Sequence, residues 1–94
     1  MSVIYSVYEI KNGENSGYCV TENDDRASAI ASAQDYYCER AEQNGEYGQG
    51  ECDVMIVTYD EKTNIETEEV ITLKWYAMKD VYDGGRYDFY TSRI

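Results

Sequence analysis

Glu66, Glu68 and Glu69 stand within four positions of one segment, and Asp80, Asp83 and Asp88 are scattered through the next, "WYAMKDVYDGGRYDFY". Carboxylates so placed can do three kinds of chemistry. They can hold a hard cation, share acid and base roles in hydrolysis, or meet the Lys and Arg of a partner. A calcium loop needs oxygens in a DxDxDG pattern, which is absent here. Paired-carboxylate hydrolysis needs a sugar cleft beside a core, and no pair in these 94 residues stands out for it. The third use needs only an exposed row of acids.

Histidine is absent, which removes the Ser-His-Asp and Cys-His arrangements, the HExxH zinc site and the usual proton shuttle near neutral pH. Neither GxxxxGK[ST] nor GxGxxG occurs, so the common phosphate-cradling loops are missing. Cys19, Cys38 and Cys52 are odd in number and widely spaced, which disfavours a disulfide framework and any CxxC site and suits buried thiols. The expectation is a protein with no catalytic residues, no cofactor and no metal.

The charge balance points outward. Nineteen acidic residues against eight basic ones give a net charge of -11. Self-repulsion of that size weakens a folded state, so a use for the field is the natural inference, with solubility as the plain alternative. The acids are grouped: Glu22, Asp24 and Asp25; Asp35, Glu39 and Glu42; Glu46, Glu51 and Asp53; Asp60 and Glu61; then the two groups named above. Same-face strand neighbours such as Glu66 and Glu68 stand about 6.7 Å apart, and helix neighbours such as Asp35 and Glu39 about 6 Å apart. DNA offers comparable rows of negative charge to grooves lined by Lys and Arg.

Trp75, Tyr76, Tyr82, Tyr87, Phe89 and Tyr90 accompany the last acid group. Cross-strand pairing is sufficient reason for aromatic residues in a hairpin. A Tyr-Asp surface is the functional reading, with rings as rigid contact area and carboxylates that engage basic side chains. Stacking of bases on these rings would need more cations than Lys79 and Arg86 to hold a nucleic-acid backbone, so direct nucleic-acid binding is not expected.

The elements that must position these residues follow from periodicity. "SVIYSVYEI" is β-branched and aromatic, "KNGENSG" is a dense turn signal, and "GYCVTE" reads as the returning strand. Asn or Asp capping and an Asn44-Gly45 close predict a helix over about residues 24 to 43. Its inward stripe would carry Ala27, Ile30, Ala33 or Gln34, Tyr37 and Ala41, with Ser28, Ser32, Asp35, Glu39 and Glu42 outward. "GEYGQGE" reads as a loop and "CDVMIVTYD", apolar on both faces, as a central strand. After "EKTN" a long strand places Ile65, Thr67, Glu69, Ile71, Leu73 and Trp75 on one parity; it ends near Trp75 or runs on through a bulge. Asp83-Gly84-Gly85 suits a tight turn, and "RYDFYTSR" a final edge strand.

The expected architecture is one α+β domain over residues 1–94, β-β-α-β-β-β, with a mostly antiparallel sheet of four to five strands and one helix on one face. One helix cannot cover such a sheet, so the other face is solvated or used. "MSVIYSVYEIK" has neither a basic start nor a long apolar run, which reads as a mature cytoplasmic chain with no membrane association.

With "TENDD", "ETEE" and "DVYDGGRYDFY" in this strand-strand-helix-strand order, the chain resembles the small acidic inhibitors of phages and mobile elements, the anti-CRISPR and DNA-mimicking anti-restriction proteins. The resemblance is one of style across the whole chain. It implies a non-enzymatic inhibitor in the bacterial cytoplasm that occupies a Lys/Arg-rich nucleic-acid-binding groove of a defence complex, a CRISPR effector being favoured, and so excludes target DNA. The partner-binding candidates are Glu66, Glu68, Glu69, Asp80, Asp83 and Asp88 with Tyr82, Tyr87 and Tyr90 as anchors, then Asp35, Glu39 and Glu42. The alternative is a small β-rich adaptor or assembly module, monomer or homodimer, that uses its uncovered sheet face or its final edge strand.

Overall fold

The structure, a computed structural model, describes residues 3–78 and the backbone of residues 88–93. Strands β1 (Val3–Lys11) and β2 (Glu14–Asn23) precede helix α1 (Arg26–Gln43); β3 (Gly48–Asp60), β4 (Ile65–Ala77) and β5 (Asp88–Arg93) follow. All neighbouring strands pair antiparallel, in the order β2-β1-β3-β4-β5. The result is an α+β fold with, among the described residues, a single helix on one face of the sheet.

Local chemistry explains each boundary. Asn12 and Gly13 both have positive φ, 55° and 79°, the backbone of a two-residue hairpin turn, so the first turn is tighter than its turn-rich sequence suggests and β2 starts at Glu14. Asp25 caps α1 by accepting from the Ser28 N–H and hydroxyl, each at 2.9 Å, so the helix begins at Arg26 and not at residue 24. At the other end Gly45 turns left-handed at φ 74°. Its N–H donates to the Glu42 carbonyl, and that of Glu46 to the Ala41 carbonyl at 2.8 Å, the paired bonds of a Schellman close.

The core lies between α1 and the facing side of the inner strands. Ala29, Ile30, Ala33, Tyr37, Cys38 and Ala41 meet Val7, Val54, Ile56, Ile71, Leu73, Trp75 and Ala77. Ala27 is exposed, a correction to the expected stripe, because the helix turns Ala29 and Cys38 inward instead. Gln34 is buried with its amide donating to the Lys74 carbonyl at 3.1 Å. A run of rings, Tyr18, Tyr36, Tyr37 and Trp75, ties β2 through the helix to β4, with Tyr37 stacked on the indole at 5.7 Å.

Residues 48–51 are strand rather than loop. Gly48, Gln49 and Gly50 pair with Ala77, Tyr76 and Trp75, and the Trp75 indole lies where a Cβ on residue 50 would be, 2.4 Å from its Nε1. Glycine here permits close approach of a ring, whereas in sequence it signals a turn. β4 runs unbroken in register with β3 from Ile65 to Ala77, past Trp75. Of the thiols, Cys38 is buried and Cys19 and Cys52 are half-buried, and no disulfide joins them.

Candidate acidic interaction surface

Pairing across the sheet determines which carboxylates share a face. Glu69 lies opposite Ile56 on the helix-covered side, and its Oε1 and Oε2 accept from Arg26 Nε at 3.1 Å and Nη2 at 2.8 Å. Glu66 and Glu68 alternate to the opposite, uncovered side. The sequence grouped three glutamates that the pleat divides: two are displayed and one clamps the start of the helix to β4.

Asp35 and Glu39 are exposed on the outer side of α1, as expected. Glu42 is not. Its Oε2 accepts from the Met78 N–H at 3.2 Å and from the Cys38 thiol at 3.8 Å, so it satisfies the backbone where the chain leaves β4. Asp80, Tyr82, Asp83 and Tyr87, with the Asp83-Gly84-Gly85 turn, lie outside the described residues. Asp88 and Tyr90 are placed by backbone alone, opposite Trp75 and Leu73.

On the uncovered face the ladders form rows. Glu22 of β2, Ser6 of β1, Val57 of β3 and Glu68 of β4 make one row, so Glu22 and Glu68 face each other across three strand spacings, about 14 Å. Ile4, Tyr59 and Glu66 form the next row, and Cys19, Tyr8, Met55 and Val70 the row on the other side. Ser6 donates to Glu22 Oε2 at 3.3 Å and fixes that carboxylate over the strand. The Tyr8 hydroxyl is held above its ordinary value first by burial, then by Cys19, Glu22 and Glu66.

The same end of the sheet gathers the chain's separate acid groups. Asn23 pairs with Tyr5, Val3 with Asp60, and Asp60 with Ile65, which sets the β2–α1 junction at the same end of the sheet as the β3–β4 turn, with β1 between them. Glu22, Asp24 and Asp25 thereby join Asp60, Glu61, Glu66 and Glu68. Among the described side chains the cations at this end are Lys62, in the turn, and Arg26, engaged by Glu69. Glu22 was visible in sequence only as one acid in a group; the period-two run of Ile4, Ser6, Tyr8 and Ile10 was the signal that a second, partly apolar face existed.

A cleft of about 370 Å³ opens at the opposite end, lined by Gln49, Gly50, Glu51, Lys74 and Trp75. It brings one ammonium within 4.0 Å of one carboxylate beside an indole. No group of three or more Cys, Asp or Glu among the described residues is arranged to hold a metal ion. No helix among them is long and apolar enough to cross a membrane.

This geometry defines a two-layer α+β fold in which a helix clads one sheet face and no described element covers the other, which carries acids at its margins. No protein family, curated protein or solved structure matches the chain.

Proposed function

We propose that this chain is a non-enzymatic inhibitor that applies its acidic sheet end to a Lys/Arg-rich nucleic-acid-binding surface of a bacterial defence complex, a CRISPR effector being the favoured target, in the bacterial cytoplasm. The observation that carries this reading is the convergence of Glu22, Asp24, Asp25, Asp60, Glu61, Glu66 and Glu68 at one end of the sheet, where Lys62 and the engaged Arg26 are the described cations. Folding alone would favour alternating these acids with lysine, since like charges at strand and turn spacings repel. Juxtaposed carboxylates instead gain by meeting a basic groove, where they replace the phosphates of DNA and exclude it.

The adaptor reading is favoured by a different observation, the half-buried apolar side chains Tyr8, Met55 and Val57 on the bare face. Salt separates the two, because attraction between exposed charges is screened within about 8 Å at physiological ionic strength. The test is affinity capture by tagged protein from bacterial extract containing CRISPR and restriction complexes, repeated with competing duplex DNA, at raised salt and with Glu66→Lys/Glu68→Lys. The expected result is a nucleic-acid-binding effector displaced by DNA and by salt and lost with the charge reversal. A partner indifferent to all three would overturn the inhibitor reading in favour of an adaptor.

A further inference from the structure

The bare face is not uniformly acidic. Ile4, Tyr8 and Ile10 of β1 and Met55, Val57 and Tyr59 of β3 form a half-buried stripe along two adjacent inner strands, interrupted by Ser6 and touched at Met55 Sδ by the Asn15 amide of β2 at 3.8 Å, and no described helix packs on it. From Ile4 to Ile10 the stripe is about 20 Å long at 3.3 Å per residue, and with its side chains about 10 Å wide. Those are the dimensions of about 13 residues of one α-helix. At its Ile4–Ser6 end, carboxylates stand on both margins: Glu22 on β2, and Glu66 and Glu68 on β4.

The margins decide what such a stripe accepts. Nucleic acid and an anionic membrane surface are repelled. A second copy laid face to face would set Glu22, Glu66 and Glu68 either against their own counterparts or against an opposite end that carries Glu51 and Asp53 beside Lys74. A helix with an apolar stripe and flanking Lys or Arg satisfies both features, because the long stems of those residues lie over apolar surface while their charged ends reach the margins. It would also bury the face that α1 leaves open.

We infer that the uncovered sheet face is a docking site for a basic amphipathic helix of a partner protein, seated along β1 and β3 with its cations on Glu22 at one margin and on Glu66 and Glu68 at the other. This rests on the reading above that the partner is a basic protein, and it names the element and the face by which the two engage. The Tyr8 row marks the centre of the seat, and Ser6 holds Glu22 at its edge.

The test uses isotope-labelled full-length protein and two synthetic helical peptides of about 18 residues, both with leucine at helical i, i+3, i+4, i+7 spacing, one flanked by lysine and the other by glutamate. The lysine peptide is expected to shift the backbone amides of β1 and β3 and to lose about tenfold or more in affinity with Glu22→Lys/Glu66→Lys/Glu68→Lys. The same loss is expected with Met55→Asp or the milder Met55→Gln, each checked for an unchanged circular dichroism spectrum. The glutamate peptide should not bind. Shifts confined to the outer side of α1, equal binding of both peptides, or shifts at the same strands that grow with protein concentration alone would overturn the proposal. Binding that ignores both Met55 variants would overturn helix seating while leaving the basic-partner reading intact. Failure of that reading appears elsewhere, as the absence of any DNA-displaced partner in the extract, whatever the peptides do.

Discussion

Tyr37 is 9% exposed, stacks on Trp75, and has no hydrogen-bond partner for its hydroxyl among the described residues. A buried hydroxyl left unpaired costs more than the ring's packing requires, so Tyr37→Phe should raise stability by about 1 kcal/mol, read by chemical denaturation at neutral pH. The neighbouring Cys52 thiol is pushed up to about 12, chiefly by burial and then by the acids Asp53, Glu9 and Glu51. The phenol of Tyr37 is raised for the same first reason. A group whose folded value lies above its unfolded one contributes stability that is complete below the unfolded value and is lost as pH rises toward the folded one. The melting temperature should therefore fall between the ordinary thiol value of 9.0 and about 12, and less steeply in Cys52→Ala. An unchanged slope in that variant would remove Cys52 from the account of alkaline unfolding.

At the scale of elements, α1 is anchored by polar groups at each end as much as by its alanine-rich inner stripe. Arg26 and Glu69 hold its first turn to β4, while Glu42 ties its last turn to the Met78 N–H. Its start depends on Asp25, whose carboxyl is held below the ordinary 3.8 by the Ser28 N–H and then the Ser28 hydroxyl. A depressed folded value gives stability that is present above the unfolded one and lost as pH falls through the folded one. Asp25→Ala should thus melt lower than the parent at pH 7, and the gap should close as pH falls from the ordinary 3.8 through the lower folded value. A gap that persists in strong acid would mean that the cap acts by shape and not by charge.

For the whole molecule, a net charge of -11, with seven of the nineteen acids gathered at one end of the sheet, makes stability and binding respond to salt in opposite senses. Screening relieves self-repulsion in the free protein but weakens attraction to a basic partner. Raising salt from about 0.05 M to 0.5 M should raise the melting temperature of the free chain, while affinity for its captured partner falls. A melting temperature indifferent to salt would show that the gathered carboxylates do not oppose folding.

The sequence by itself determined the α+β class, the strand order along the chain, the central place of the β3 segment and the shared parity of Ile65 through Trp75, because these follow from local periodicity and capping chemistry. It also showed that charge, and not a catalytic signature, was the feature to explain. Tertiary structure alone decided which acids belong together. Strand alternation sends Glu69 to the helix and Glu66 and Glu68 away from it, and antiparallel pairing through β1 brings Glu22 into the row of Glu68 from more than forty positions earlier. Glu42 looked outward by helical spacing but turns toward Met78 because the exit from β4 leaves an N–H that needs an acceptor. Spacing along a chain reports neighbours on one element; the sharing of a surface depends on pairing partners that a single sequence does not reveal.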